Sequence, residues 1–480
     1  MRFTGLANGN HTFLLRAIDP AGKRGIAARY AWRVVNAAPV ALTQIVTTSD
    51  ETPVAIKLAA TDDDDVNFHI VTRPAHGSLQ GTPPNLTYIP ESDFFGIDEF
   101  SFSANDGQTD SAPATVKITV QRGVYRFAAL GLYGVSIGQQ AVITDGDVGA
   151  SLRAIEDVPD GISPASRSDG DFVEVRINQQ AKLLNANNFV LGDTVDIRQT
   201  ASVFNVGYNR LLNQGTVQGD KRNPLDLSLL PGLPALPTIT PGTRDVVVGQ
   251  RSSLTLDPGS YGVVLVGQQG TLLLKPGLYH FKSVSVGQQA KLLLQGATEL
   301  RVLGRFAADQ QSYVGPAPEA TGSSAKQIRI FVAASSTSRD LSVAEDANAA
   351  MLNASTVSTD TVAEESKVAE GLVPEQANDG EGGAVSLGQN SRIIANIVSP
   401  NGSIRLRQGG SVTGALLGKW VSVGQQAELT LSSGFEPARG AAVGSADVGA
   451  YPAPSGEVSS YDSVSKVHLS TSLYLPLIAR

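Results

Sequence analysis

The sequence predicts an all-β chain in which sandwich modules precede a β-solenoid with about 17–20 residues per coil. Two observations carry this. An eleven-residue phrase, V-S-V-G-Q-Q-A-E-L-T-L at Val421–Leu431, recurs at Val246–Leu256, Val264–Leu274, Val284–Leu294 and Val385–Ala395. Looser copies stand at Val135–Asp145, Val175–Asn185 and Ile404–Gly414. Upstream, residues 38–121 hold short alternating strands broken by turn signals, the pattern of a sandwich.

Each copy of the phrase reads as two strands about a turn. Val421, Val423, Ala427, Leu429 and Leu431 alternate with Ser422, Glu428 and Thr430, a period of two with one buried face. Gly424 is expected to take the positive φ that bends the chain. One copy cannot bury its apolar face alone, but stacked copies can. With coils rising about 4.8 Å each, glutamines at one turn position would share amide hydrogen bonds. The expected turn ladder is Gly249-Gln250, Gly267-Gln268, Gly287-Gln288, Gly388-Gln389 and Gly424-Gln425. The alternative is a ligand-binding row.

In chain order, residues 1–37 hold two strands, His11–Ala17 and Tyr30–Val35, joined by a Gly/Pro loop. The phrase G-N-H-T-F-L-L-R-A-I-D-P-A-G resembles the last two strands of a fibronectin-III or bacterial Ig-like domain. Two strands are not stable alone, so the earlier ones are expected in a longer protein or from elsewhere. No secretion signal follows Met1, which fits loss with an upstream segment.

Residues 38–121 resemble a cadherin-like Ig-type domain of bacteria. The resemblance rests on Thr61-Asp62, Pro74-Ala75-His76-Gly77, Leu86-Thr87-Tyr88-Ile89-Pro90, Phe95-Gly96-Ile97-Asp98, Phe100-Ser101-Phe102 and Asn105-Asp106-Gly107. Its expected core is Ile56, Leu58, Phe68, Ile70, Phe100, Phe102, Val116 and Ile118. Relatives of such domains sometimes bind Ca²⁺, and the run Asp62, Asp63, Asp64 and Asp65 offers the oxygens that calcium takes; a solvated turn is the simpler reading. Asp106 reads as the cap of its own turn.

The solenoid is expected over 122–435, with two departures from its repeat. The Pro/Leu-rich stretch 224–242 is barred by its prolines from a central strand and should run extended across the solenoid, covering apolar surface. The acidic, Ala/Ser/Thr-rich stretch 340–383 reads as an insertion. Pro-Gly-x-Tyr recurs at Pro258–Tyr261 and Pro276–Tyr279, with the tyrosines placed to stack between coils or, on an exposed face, against sugar rings. The phrases Ile397-Val398-Ser399-Pro400-Asn401-Gly402 and Gly414-Ala415-Leu416-Leu417-Gly418-Lys419 resemble choice-of-anchor-type secreted β-helix proteins and, distantly, polymer-forming bactofilin-like β-helices. Residues 436–480 form a tail whose strand, marked by Val467, Leu469, Leu473, Leu475 and Leu477, could add to the open edge of the sandwich at 1–37 of another copy.

Bulk properties narrow the function. A net charge of −8 with no basic stripe argues against nucleic acid as a partner. Absence of cysteine excludes disulfides and thiolate zinc sites. No apolar run reaches the length of a membrane span. The outward positions Ser422, Glu428, Thr430, Ser285, Lys291, Thr255 and Arg392 form no carboxylate pair, and no nucleophile-elbow, zinc-protease or P-loop phrase occurs, so no catalysis is expected. The expectation is an extracellular or cell-surface structural or adhesive protein, with a carbohydrate-binding adhesin as the first alternative and a polysaccharide-processing β-helix enzyme as the second. It would need no cofactor beyond a calcium ion, and its partners would be itself, other surface proteins or polysaccharide.

Overall fold

The computed structural model describes residues 9–34, 36–62, 65–151, 174–320, 322–334 and 383–435. Among them the chain is all-β, with only single turns of 3₁₀ helix at Val124–Arg126, Leu227–Leu229 and Ala325–Gln327. The tail, with the proposed exchange strand at 467–477, lies outside the described residues, as do Asp63, Asp64 and the acidic stretch.

The first two strands, Gly9–Leu15 and Ala28–Val34, pair antiparallel. The next region is an Ig-like sandwich. One sheet runs Gln44–Ser49, Ala114–Gln121, Gly96–Asn105, Asn67–Thr72, and the other Val54–Lys57, Asn85–Pro90, Gly77–Thr82. Alternation along Ala114–Gln121 puts every second residue inside, including Val116 and Ile118. Ile56, Leu58, Phe100 and Phe102 fill the core, with Phe68 and Ile70 partly buried against it.

The rest of the described chain forms long parallel sheets on three faces, compatible with a β-helix. The strands that follow the turns make one eleven-stranded parallel sheet, with Ser253–Leu256 and Thr216–Val217 at its edges. The strands before the turns make a second parallel sheet, in which Val246, Val264 and Val284 stand in register. A third face runs from Gly259–Ser260 through Gly277–Phe281, Thr298–Val302 and Ile328–Val332. The long strands Asn396–Leu406, Leu416–Val423 and Phe127–Ile137 each pass through two faces, with a register shift at the corner.

The stacking order is not the chain order. Ile404 lies beside Val421, Val421 beside Val135, and Val135 beside Val175. The last copies of the repeat therefore sit mid-stack, and the first copy continues from them. From Arg222 the chain must return to the far edge at Val246. The Pro/Leu segment makes this return, with Leu225, Leu229 and Leu230 buried against Phe127, Leu130, Phe189, Leu191, Val398 and Leu417. Farther along, Thr240 N donates to His280 Nδ1 at 2.9 Å and Arg301 Nη1 to the Thr238 carbonyl at 3.0 Å.

Candidate functional site

The Gly-Gln-Gln turns are closed by a bond from the residue after the second glutamine to the glycine carbonyl, as Ala290 N to Gly287 O at 3.0 Å and Gly270 N to Gly267 O at 2.8 Å. The left-handed residue is not the glycine that the sequence suggested. It is the third residue of the turn: Gln269 (φ 60°), Gln289 (57°), Asn390 (54°) and Gln426 (55°). This is the position where a type II turn takes positive φ. The glycine answers a different demand. A Cβ on Gly424 would lie 2.6 Å from the Arg407 carbonyl carbon, and one on Gly388 2.3 Å from that of Asp309. At these two positions the stacked turns bring backbone against backbone and leave no room for a side chain, whereas other copies carry Arg407 or Asp309 at the same turn position.

The amide ladder follows from the same geometry. Gln250 Nε2 donates to Gln268 Oε1 at 3.2 Å, and Gln268 Nε2 to Gln288 Oε1 at 3.3 Å. A second row, unforeseen in the sequence, runs through the left-handed residues: Arg251 to Gln269 at 2.7 Å, Gln269 to Gln289 and Gln289 to Gln311 at 2.8 Å. A further run joins Gln408, Gln426, Gln140 and Gln180. Gln389 and Gln425 take part through backbone instead, their carbonyls accepting from Gln311 N and Gly409 N at 2.9 Å.

The sequence-predicted binding residues divide. Tyr261 and Tyr279 stack at 6.4 Å between centroids, and both are buried, so they form no sugar platform. Burial raises the Tyr279 hydroxyl, which donates to the Leu256 and Lys275 carbonyls. Of the aspartate run, Asp65 is exposed and Asp62 half-buried; no group of three potential metal ligands occurs among the described residues. Asp106 accepts from Gln108 N and Thr109 N at 2.7 Å, and the Asn36 amide beside it holds its carboxyl below the usual range. The Pro-Ala-His-Gly and Gly-Ile-Asp phrases meet at Asp98, which accepts from Ala75 N, His76 N and Tyr88 Oη at 2.8–3.0 Å. Those motifs build the sandwich.

Two constellations were not evident in the sequence. One is the junction between sandwich and parallel sheets. Asp50 accepts from Gly123 N at 2.7 Å, Tyr125 Oη at 2.9 Å and Arg126 Nε at 3.1 Å. Arg122 bonds Asp147 at 2.7 Å. Burial pushes both carboxyls up while the arginines pull them down. Phe95 of the sandwich meets Phe189 edge-on at 5.4 Å, and Arg222 lies 4.0 Å over the Phe95 ring.

The other is an open groove of about 830 Å³ on the second sheet. Its floor is a register column of small outward residues, Ser285, Ala307 and Ser386, continued by Arg405 and Ser422. Arg305, Arg407, Asp309 and the glutamines Gln310, Gln389 and Gln408 also line it. Burial raises the Asp309 carboxyl, against Arg305 and Arg407. Alternation in Ile404-Arg405-Leu406-Arg407 marks both arginines as outward; only alignment of the copies would place Arg305 beside them.

Residues 36–119 match a family model described as a bacterial Ig domain. No curated protein matches the chain. Among solved structures, a putative α-galactosidase/melibiase from Bacteroides fragilis NCTC 9343 is 11% identical over 22% of each chain, with a TM-score of 0.16. An endo-fucoidan hydrolase of glycoside hydrolase family 107 is 18% identical, over 28% of this chain and 23% of that one, also at 0.16. The chain thus spans under a quarter of either protein, and likeness at this level defines neither a shared fold nor a shared activity. No helix among the described residues is long and apolar enough to cross a membrane.

Proposed function

We infer that this is a non-catalytic extracellular or cell-surface protein, in which a β-solenoid forms a rigid body and Ig-like domains act as spacers. The observation that carries the reading is the sealed junction. Asp50, Arg122 and Asp147 bury an ion network between sandwich and parallel sheets, where a flexible linker would leave the two free to turn. Parallel backbone ladders and paired amide rows would make the body stiff and resistant to proteases. Limited proteolysis tests this: the sandwich and the first parallel strands, residues 38–151, should survive uncut, and early cleavage between 119 and 127 would refute a rigid unit.

The reading extends to self-association. Leu14, Leu15, Ile26 and Tyr30 of the N-terminal hairpin are exposed, Ile26 at 98%, which supports a sandwich edge awaiting further strands. Strand exchange with the tail at Val467–Leu477 would link copies head to tail into an open filament. Electron microscopy of the intact chain and of a chain lacking 467–480 tests it: filaments should vanish on deletion, and lone rods in both samples would refute it.

A second reading, a polysaccharide-binding adhesin, is favoured by the arginine groove rather than by the tyrosines.

A further inference from the structure

We propose that the groove on the second sheet binds an acidic polysaccharide, with Arg305 and Arg405 receiving its carboxylate or sulfate groups and the glutamine row receiving its hydroxyls. This rests on the adhesive reading of the same surface. In a chain of net charge −8, the groove gathers Arg305 and Arg405, and Asp309 is the one carboxylate among its described lining residues. Arg305 lines the groove half-buried, and its Nε has no hydrogen-bond acceptor among the described residues. Arg405 is exposed beside its column of serine and alanine, and among the described residues it makes no ion pair. A guanidinium so placed offers a planar fork to carboxylate or sulfate.

The neutral lining points to a sugar polymer. Gln250, Gln268 and Gln288 use their side chains on one another, whereas Gln310 and Gln389 at the same turn position make no side-chain hydrogen bond among the described residues and face the groove. Each amide can donate and accept, as hydroxyl groups require. Arg305 precedes the strand Phe306–Ala308, and Arg405 lies two strands further along the stack, at Ser386's far side. Two strand spacings amount to about 9.6 Å, so a ligand touching both must be extended along the stack. Among its described lining residues the groove holds no aromatic ring on which nucleobases could stack.

The test is affinity electrophoresis of the full chain through gels containing polygalacturonate, sulfated dextran or neutral dextran. Retardation by an acidic polymer and not by the neutral one is expected, weakening as salt is raised. The acidic polymer that retards decides between carboxylate and sulfate. Arg405→Ala and Arg305→Ala should each weaken binding at least about tenfold. Arg405→Lys should recover part of the loss, and Arg392→Ala, on another sheet, should bind normally. Equal retardation by neutral dextran, or unchanged affinity in Arg405→Ala, would overturn the proposal. Rods that stay protease-resistant yet bind no acidic polymer would remove the groove's role and leave the structural reading standing.

Discussion

Arg122 donates from Nε to Asp147 Oδ2 at 2.7 Å, and the two side chains are only 4% and 1% exposed. The same guanidinium lies 3.8 Å from Asp50, which belongs to the sandwich. One cation thus offsets two buried carboxylates from different parts of the fold. Removing it leaves Asp147 with no ion-pair partner among the described residues, while Asp50 keeps Arg126, so Arg122→Ala should destabilise by about 3–5 kcal/mol. The measurement is the denaturation midpoint. Replacing the pair together, Arg122→Met with Asp147→Leu, should cost less than Arg122→Ala.

Turn glycines should differ in tolerance according to what lies beneath them. A Cβ at Gly388 meets the Asp309 backbone at 2.3 Å, whereas at Gly249, where φ is not positive, it meets only the Ser252 side chain, at 3.4 Å. Gly388→Ala should cost about 1–3 kcal/mol through overpacking. Gly249→Ala should be neutral or stabilise by about 0.4–1 kcal/mol through the unfolded chain. Equal losses in urea denaturation would refute backbone crowding as the reason for these glycines.

The amide rows make a related prediction. Gln289 bonds both Gln269 and Gln311, while the Gln389 side chain bonds neither neighbour in its row. Gln289→Ala should lose about 1 kcal/mol and Gln389→Ala less than about 0.5 kcal/mol. Comparing unfolding free energies of the two variants checks this.

The crossing segment should respond to pH at His280. Burial and the nearby Arg301 hold this imidazole below its ordinary value, and its Nδ1 accepts from Thr240 N. A base depressed in the folded state contributes stability above its unfolded pKa of about 6.5 and loses it as pH falls through the lower folded value. Protonation removes the acceptor, so hydrogen exchange at Thr240 should quicken on acidification below about 6.5, relative to amides inside the sheets. A His280→Gln variant should lack that added pH dependence.

Much of the fold was legible because its unit is local. The alternation of Val284, Val286, Leu292 and Leu294 specifies two strands with one buried face, and the small Ala290 after the turn marks a crowded corner; all five are buried. Leu225 and Leu230, apolar residues set among prolines, are both buried. Other features depend on what another rung places nearby. Gly424 looks in sequence like a bend, but its need comes from Arg407 on the adjacent rung. Arg305 becomes part of a groove only when Ser386 and Arg405 stack beside it.

The sequence by itself determined the repeating strand-turn-strand unit, the sandwich core and the all-β class, because alternation and turn chemistry act over a few residues. Only the tertiary structure decided the order of stacking. Every rung presents similar parallel edges, so Val421 could pair with any copy of the phrase. It pairs with Ile404 and Val135 in a stack that the Pro/Leu segment then spans, burying its leucines against Phe127, Leu130 and Leu417. Repetition leaves the order open, and the packing of non-repeating residues settles it.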